Sequence, residues 1–570
     1  MNPNLSKICV RPDDSIKAVL DKLVLHKPAQ TKLPGGIVLI TEKDGKLVGI
    51  ATDGDIRRGL AGGAKMEDRI SALMNGKPFV VQGPTTSEAI LSLASEKIRK
   101  EGLHRDRLSK IIIVDKDKKV LDLVSFYDLW RKSDVRFRQI GVVGLGYVGL
   151  TLGVTLADLG FKVIGFDIAP AVRKSLQRGK PHFYENGLER MLKDNLSKNL
   201  RIASNFKGAN NCDVYFVSVG TPLDGNKKPN LKYLRNASER IGKVLKEGDC
   251  VILRSTVPVG ATRNFVVPIL EKLSGLKAGD GFFVSFAPER TIEGKALEEL
   301  RNLPQVVGGI NRVSADLTAT LFGHMTHSTV LVDSLEEAET VKLINNTYRD
   351  VTFSFANELS LICHRLGIDT HRVIEAANRG YARSNVPLPG PGVGGACLEK
   401  DPFIFIESAK TKDYDPLLVR HARSVSDLML DFITREIKRF LAGKPNLRNP
   451  KVFMMGFAFK GQPVTSDIRG SYSVKLADQL KKNIPNIHVY DPAVRREDIL
   501  NHGLRYAGDL KTGFTGADVV VVMNNNPAFG EIDIRSALQL TNKPAFLFDT
   551  WGIYNREDVA KVKGVEYKRL

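Results

Sequence analysis

The stretch that most constrains this chain runs from Gln139 to Asp167. An apolar strand, Gln139-Ile-Gly-Val-Val143, is followed at once by Gly144-Leu-Gly-Tyr-Val-Gly149. A helix-compatible run then reaches Leu159, and a second strand, Lys162-Val-Ile-Gly-Phe-Asp167, ends in an acid. A lone G-x-G-x-x-G is a weak signal. Between a strand and a helix, with an acid about 20 residues further on, it predicts a βαβ dinucleotide site. Gly144, Gly146 and Gly149 let the backbone of this turn, with Leu145, Tyr147 and Val148, approach a pyrophosphate at a helix N-terminus. Asp167 is placed to bond a ribose 2′-hydroxyl and repel a 2′-phosphate, which favours NAD over NADP. The alternative is that the glycines serve only close helix–strand packing.

The alternation of strand and helix continues. Strands at Asp213–Val219 and Cys250–Ser255 each end in polar turn residues, Gly220-Thr221-Pro222 and Ser255-Thr256-Val257-Pro258. Those ends are where a doubly wound sheet puts its ligand crevice. A long helix with few breakers is expected over roughly Ser334–Leu366, with helices continuing to about Lys444. A second α/β unit starts at Lys451-Val-Phe-Met-Met455, with strands at Asn486–Tyr490, Ala517–Met523 and Pro544–Asp549.

At 570 residues the chain should hold three or four domains. With 42% hydrophobic and 26% charged residues it reads as globular, which excludes disordered, collagen-like and membrane-bundle classes. Five cysteines without C-x-x-C spacing make neither a disulfide framework nor a metal set, and suggest free thiols in a reducing compartment. Met1–Arg11 has no apolar signal-peptide core, and the uncharged run Gln139–Leu156 carries glycines at fingerprint spacing rather than a membrane span. We therefore expect a cytoplasmic protein with no membrane partner. The net charge of +20 raises nucleic-acid binding, but the basic residues are spread, with no basic arm and no aromatic-interleaved patch. The bland reading, a basic surface that attracts anionic small molecules, is preferred.

The first 134 residues contain a repeat. Gly36–Asp44 lines up with Ser109–Asp117, and Val48–Asp55 with Leu121–Asp128, at an offset of about 73 residues. Each copy reads helix, strand, turn, strand, helix, and a unit this small needs its twin to cover its faces. The module resembles a tandem pair of CBS domains, the matching residues being Thr52 with Asp55 and Ser125 with Asp128. That resemblance implies an α+β regulatory module (1–134) in which the Asp binds ribose hydroxyls and the Ser/Thr approaches phosphate, usually of an adenine nucleotide. A pathway metabolite is the other ligand to consider. The first copy is the better candidate, since Asp122 stands where the family prefers Gly. The plainer reading of Thr52 and Ser125 is that they are helix N-caps.

The remaining feature is Pro389-Gly-Pro-Gly-Val-Gly-Gly-Ala-Cys-Leu-Glu-Lys-Asp-Pro402. Glycines ahead of Cys397 let backbone and ligand come close to the sulfur. Lys400 and Asp401 follow within a turn, and a neighbouring cation lowers a thiol pKa. Cys9, Cys212, Cys250 and Cys363 lie in apolar runs and read as structural.

From about Gln139 to Leu570 the chain resembles the UDP-sugar 6-dehydrogenases, which act on UDP-glucose and UDP-N-acetylhexosamines. The motifs that carry the resemblance are GLGYVG, VGTP, Arg254-STVPVG260, Ala287-PERTIEG294, Lys342-LINN346, GPGVGGACLEKD, and Gly456-FAFKG461 with Ser466-DIRGS471. It implies an NAD-binding Rossmann domain (138–330), a central helical dimerisation domain with the catalytic loop (331–445) and a Rossmann-like UDP-sugar domain (446–570). A homodimer or higher homo-oligomer follows. The reaction implied is a four-electron oxidation of the sugar C6 alcohol to the uronate, with two NAD per turnover and Cys397 holding a thiohemiacetal and then a thioester.

Roles carry over by position. Lys342 and Asn346, four apart on a helix, match the pair at the developing oxyanion. Asp401, with Thr256 beside it, matches the group that handles the water or alcohol proton, and Glu289 the base of thioester hydrolysis. Thr221, Lys400 and Arg469 match cofactor contacts. Glu293, Phe459, Lys460 and the Leu388–Gly394 loop, with Gly392 and Gly394, match the UDP-sugar cradle, and Arg383 an arginine given across the dimer. Leu398 after the cysteine, where the glucose enzymes have Phe, favours UDP-N-acetylmannosamine or UDP-N-acetylglucosamine over UDP-glucose. Two competing readings are a two-electron β-hydroxyacid-type dehydrogenase, which has no use for Cys397, and a nucleotide sensor on a degenerate scaffold.

Overall fold

Valine- and isoleucine-rich runs form the strands, and the way they are connected decides where a crevice opens. The structure, a computed structural model, describes residues 4–26, 33–83, 90, 110–125, 138–444 and 447–570. The chain divides into two units: Met1–Arg138 with Lys246–Asp249 and Leu276–Phe283, and Gln139–Leu245 with Cys250–Gly275 and Val284–Leu570.

In the first unit β1 (Cys9–Val10) precedes α1 (Ile16–Leu25), β2 (Ile37–Thr41), β3 (Leu47–Thr52) and α2 (Asp53–Ala61). β1 pairs parallel with β2, and β2 antiparallel with β3. The second copy repeats this with β4 (Val80–Gln82), β5 (Lys110–Val114) and β6 (Val120–Ser125). Even the register irregularity recurs, between Ile40 and Thr41 and again between Ile113 and Val114. The copies join at their hairpin turns, where Leu47 N donates to Lys118 O at 2.9 Å and Val120 N to Gly45 O at 3.3 Å. Ile37, Leu39, Ile112, Val114, Val120 and Leu123 share one core. The mutual packing expected of the repeat is present. The helix expected after Ser125, and Asp128 with it, lie outside the described residues.

The second unit starts with β7 (Gln139–Val143), α3 (Tyr147–Asp158), β8 (Lys162–Phe166), β9 (Leu200–Ile202), β10 (Val214–Val217), β11 (Cys250–Leu253), β12 (Phe283–Phe286), β13 (Gln305–Gly309) and β14 (Thr329–Val332). The strand order is β14-β13-β12-β11-β10-β7-β8-β9. From β7 the chain moves one way through β8 and β9, then returns to β10 on the other side, so the topological switch lies at the β7/β10 boundary.

α4 (Leu335–Leu366) follows, 32 residues capped by Ser334, whose side chain accepts from Glu337 N, and closed by Gly367 at φ 70°. At 1.5 Å per residue it spans about 48 Å. Beyond it come α5 (Asp401–Lys410) and α6 (Leu417–Ala442), which lies along α4, with Ser354 Oγ donating to Ala422 O at 2.8 Å. The last layer is an all-parallel sheet, β17-β16-β15-β18-β19-β20, built from β15 (Val452–Met455), β16 (Ile487–Tyr490), β17 (Arg505–Tyr506), β18 (Val519–Val522), β19 (Ala545–Asp549) and β20 (Val565–Arg569). Between β15 and β16, α7 (Tyr472–Leu480) provides the crossover. Alternate β15 residues enter opposite cores, Val452 and Met454 with α6, Phe453 and Met455 with Phe514 and Phe529. A parallel sheet needs both faces covered, and this alternation does it. The expected architecture, two doubly wound α/β parts joined by a long helix and preceded by an α+β repeat, is the one observed. Among the described residues no helix is long and apolar enough to cross a membrane.

Candidate active site

A cavity of about 500 Å³ opens at the β7/β10 boundary, lined by Gly144, Gly146, Asp167, Arg173, Ser218 and Gly220 among others. Each fingerprint glycine has its own reason. Gly144 sits at φ 91°, where a side chain is strained. A Cβ on Gly149 would stand 1.9 Å from Gly144 O, so only glycine lets α3 start so close to β7. A Cβ on Gly146 would meet nothing within 4 Å, because its face opens onto the cavity. Thr221 is buried with its hydroxyl oxygen unpartnered. Open glycine backbone at a helix start and an orphaned hydroxyl fit a dinucleotide.

One expected contact needs correction. Leu145 N donates to Asp167 Oδ2 at 2.8 Å, so that amide is spent inside the turn. Tyr147 turns its hydroxyl away from the cavity to donate to Glu185, leaving its backbone at the helix start for a phosphate. Val148 lies half-buried in the same first turn. Asp167 also accepts from Ala169 N at 2.8 Å, and its two oxygens keep lone pairs for ribose hydroxyls.

The second cluster gathers at the first half of α4. Lys342 and Asn346 are both buried on one helix face, as their spacing of four predicts. Asn346 Nδ2 donates to Asp401 Oδ2 at 2.6 Å, and Lys400 Nζ to Asp401 Oδ1 at 2.5 Å. Lys342 Nζ donates to the Glu289 carbonyl. Asp401 opens α5, and its backbone N donates to Cys397 O at 2.9 Å, so one turn fixes nucleophile, Lys400 and Asp401 together. Cys397 is exposed, whereas Cys212, Cys250 and Cys363 are buried and Cys9 is half-buried; all five are free. The charges of Asp401, Lys342, Lys400 and Glu293 all act on its thiol. Its pKa is raised, first by desolvation of the sulfur and then by the Asp401 charge, which outweigh the two lysines. The expected depression of that pKa is therefore not found, and the sulfur needs a base nearby to ionise.

Glu289 also departs from expectation. Its carboxylate is buried in an ion pair with Arg254 and accepts from Thr291 N at 2.7 Å. Burial pushes its pKa up, but the Arg254 charge and hydrogen bond win and hold it down. Its carboxylate is thus held by Arg254 and Thr291, while its backbone carbonyl receives Lys342. Glu293, expected as a sugar contact, has the opposite environment. Burial and neighbouring Asp467 push its pKa up to about 7, against Arg469 and Lys460. Arg469 pairs with Asp467 at 2.5 Å and comes within 3.8 Å of Glu293, so its guanidinium serves these carboxylates rather than standing free for a cofactor. Thr256 is half-buried in the turn after β11. That turn is tied to α4 by Glu339, one helical turn before Lys342, which accepts from Gly260 N at 2.5 Å and Thr262 N at 2.8 Å. Burial raises Glu339 to about 7.

The glycine loop lies against the last sheet. A Cβ on Gly392 would be 2.4 Å from the Tyr472 ring, on Gly394 2.5 Å from Gly470 O, and on Gly395 2.7 Å from the Phe459 ring. Lys460 Nζ reaches across to Glu293 O at 2.8 Å. Arg383 is exposed over the Tyr381 ring, 4.8 Å from its centroid, apart from this cluster.

Three further groups went unnoticed in the sequence. Glu185 accepts from Tyr147 Oη, Gly294 N at 2.7 Å and Ala296 N at 2.9 Å, holding the Glu293 loop against α3. Arg254 stands inside a recognised motif but its role there is visible only in the fold. Arg423 and Asp350 form a buried pair at 2.5 Å behind the Cys397 loop.

In the first unit Thr52 and Asp55 form a reciprocal capping box at the start of α2. Asp55 accepts from Thr52 N at 2.9 Å, Thr52 Oγ1 at 2.7 Å and Arg58 at 2.7 Å. The geometry is that of the plainer N-cap reading. Ser125 ends β6, and Asp128 lies outside the described residues.

Three successive parts of the chain match the UDP-glucose/GDP-mannose dehydrogenase family: its NAD binding domain at 138–326, its central domain at 336–427 and its UDP binding domain at 453–556. Residues 1–62 match the CBS domain. The UDP-N-acetyl-D-mannosamine dehydrogenase of Pyrococcus horikoshii is 33% identical over 401 residues, 70% of this chain and 92% of that protein. The UDP-N-acetyl-D-glucosamine 6-dehydrogenase of Pseudomonas aeruginosa is 33% identical over 403 residues, 70% and 93% of the two. Among solved structures, a UDP-D-ManNAc dehydrogenase from Pyrococcus horikoshii superposes with a TM-score of 0.69 at 31% identity, covering 76% of this chain and 98% of that one.

Proposed function

Since the chain belongs to the UDP-glucose/GDP-mannose dehydrogenase family, we propose that it oxidises the C6 hydroxymethyl of a UDP-N-acetylhexosamine to the uronate within one site. It is an NAD-dependent UDP-sugar dehydrogenase. The observation that carries the full oxidation is the exposed Cys397, set between a glycine loop and a buried Lys–Asn–Asp cluster. A two-electron β-hydroxyacid-type enzyme would need no such thiol.

When bound along the β7/β10 crevice, NAD supplies the hydride acceptor, twice per turnover. The residues expected to hold it are Gly144, Gly146, Asp167 and Thr221. Asp401 takes the proton of the C6 hydroxyl, and Lys342 and Asn346 donate to the oxygen as charge develops. C6 gives up a hydride and becomes an aldehyde. Once Asp401 has released the first proton to solvent, the Cys397 thiol gives up its own proton to Asp401 as the sulfur adds to that carbon, and Asp401 hands the same proton to the carbonyl oxygen, giving a thiohemiacetal. Loss of a second hydride, to the second NAD, and of the hydroxyl proton, again to Asp401, leaves a thioester. Water then attacks the thioester carbon, Glu293 accepts its proton, and the C–S bond breaks to return the thiol and the carboxylate. We assign the base to Glu293 because its pKa near neutrality suits the task and that of Glu289 does not.

Leu398 after the nucleophile and the acetamido sugars in the names of the Pyrococcus and Pseudomonas relatives support UDP-N-acetylmannosamine or UDP-N-acetylglucosamine. UDP-glucose is the alternative. Comparing kcat/KM for the three sugars, with the product identified by mass, decides between them. A preference for UDP-glucose would overturn the acetamido reading. The active form we propose is a homodimer built on α4, to which Arg383 of a second copy contributes, with the N-terminal repeat as a regulatory module.

A further inference from the structure

The loop that presents Cys397 has little regular structure of its own, yet it must hold the sulfur against groups on α4. Its backbone is pinned at several points. Gly390 N donates to Asn357 Oδ1 on α4 at 2.9 Å, and Val393 N to Ser426 Oγ on α6 at 3.2 Å. The carbonyls that flank the nucleophile, Val393 O before it and Leu398 O just after it, both accept from one guanidinium. Arg423 on α6 reaches Val393 O at 3.3 Å and 3.4 Å and Leu398 O at 3.4 Å. The same guanidinium is anchored by Asp350 at 2.5 Å. Asp350 is fully buried one turn beyond Asn346, on the helix that carries Lys342. Arg423 itself is 7% exposed. It also lines a cavity of about 420 Å³ behind the loop, with Ala396, Lys400 and Lys475.

We propose that Arg423 is a positioning residue for the thiol chemistry: it fixes the Cys397 loop to α4 through Asp350 and so sets the distance between the sulfur and the Lys342, Asn346 and Asp401 cluster. Buried ion pairs contribute little net stability over an apolar pair of the same volume, so stability alone does not account for an arginine here. A guanidinium whose Nη1 faces the carboxylate and both carbonyls while Nη2 shares Val393 O does account for it, and a lysine, with its flexible stem and strongly hydrated ammonium, does not copy that planar, pre-organised arrangement. The proposal rests on the thioester reading above.

The test uses the full chain. Replacing the pair together, Arg423→Met with Asp350→Leu, leaves no uncompensated charge and keeps the helices packed while cutting the loop free. A displacement on the order of 1 Å at a reacting atom costs about 100-fold in rate. We expect kcat to fall by about that factor, with KM for NAD and UDP-sugar unchanged and the pH profile of Cys397 alkylation by iodoacetamide shifted, read at the Cys397 peptide. In Arg423→Ala, guanidinium chloride entering the cavity should restore part of kcat, and urea none. Arg423→Lys should not recover the wild-type rate. A paired variant with wild-type kcat and alkylation profile overturns the proposal. So does Arg423→Ala that guanidinium does not rescue, which decides the matter if the paired variant does not fold. The alkylation arm does not depend on turnover; a Cys397→Ala enzyme with full activity would instead overturn the thioester reading itself.

Discussion

At the scale of single residues, two glutamates four positions apart are sorted by their surroundings. Glu289 faces Arg254, both sealed from solvent. Glu289→Ala would leave that guanidinium buried without its partner, and we expect a loss of about 3–5 kcal/mol, measured by denaturant unfolding. A wild-type midpoint would mean the pair is not as drawn. Glu293 is pushed up to about 7. A base works only when ionised, so thioester hydrolysis should slow as pH falls through about 7. Glu293→Gln should accumulate acyl-enzyme, seen by mass after a rapid quench, and lose that pH limb. Hydrolysis that keeps its rate and profile in this variant would return the role to another group. Which glutamate does what was not legible in Ala287-PERTIEG294, because Arg254 and Asp467 reach these side chains from 35 and more residues away. Cys397, Asp401 and Lys342 were legible because motif and helix spacing are local.

At the scale of elements, strands and helices followed their patterns closely. The capping serine and closing glycine of α4 stand where the breaker-poor run begins and ends. What the periodicity could not assign was the partner of each face. Lys342 and Asn346 look inward, but Ile344, Tyr348, Phe355, Ile362 and Leu366 form a second, exposed apolar stripe at helical spacing. An apolar stripe of this length is more than scattered surface hydrophobes need, and it supports the dimer proposed on this helix. Phe355→Glu should shift the chain to monomer in light scattering at micromolar concentration; an unchanged dimer would place the interface elsewhere. Contacts such as Glu185 with Gly294, 109 residues apart, carry no local signal at all. They became visible only when the sheet brought α3 and the Glu293 loop together.

At the scale of the whole molecule, a catalytic unit follows a repeat whose two copies share strand order, register irregularity and core. If that repeat senses an adenine nucleotide, the full chain with its NAD site saturated should still bind AMP or ATP by calorimetry, and Asp55→Ala should remove the binding. No heat with either nucleotide would leave the repeat as an assembly module, in keeping with the capping box that Asp55 forms. The central claim concerns the other unit, that one site carries an alcohol through to an acid by way of Cys397. The most direct measurement is the yield of NADH per UDP-sugar consumed, run to completion for the wild type and for Cys397→Ala. We expect two NADH per sugar for the wild type and a sharp fall in Cys397→Ala. One NADH per sugar for the wild type, or two in the absence of the thiol, would contradict the account.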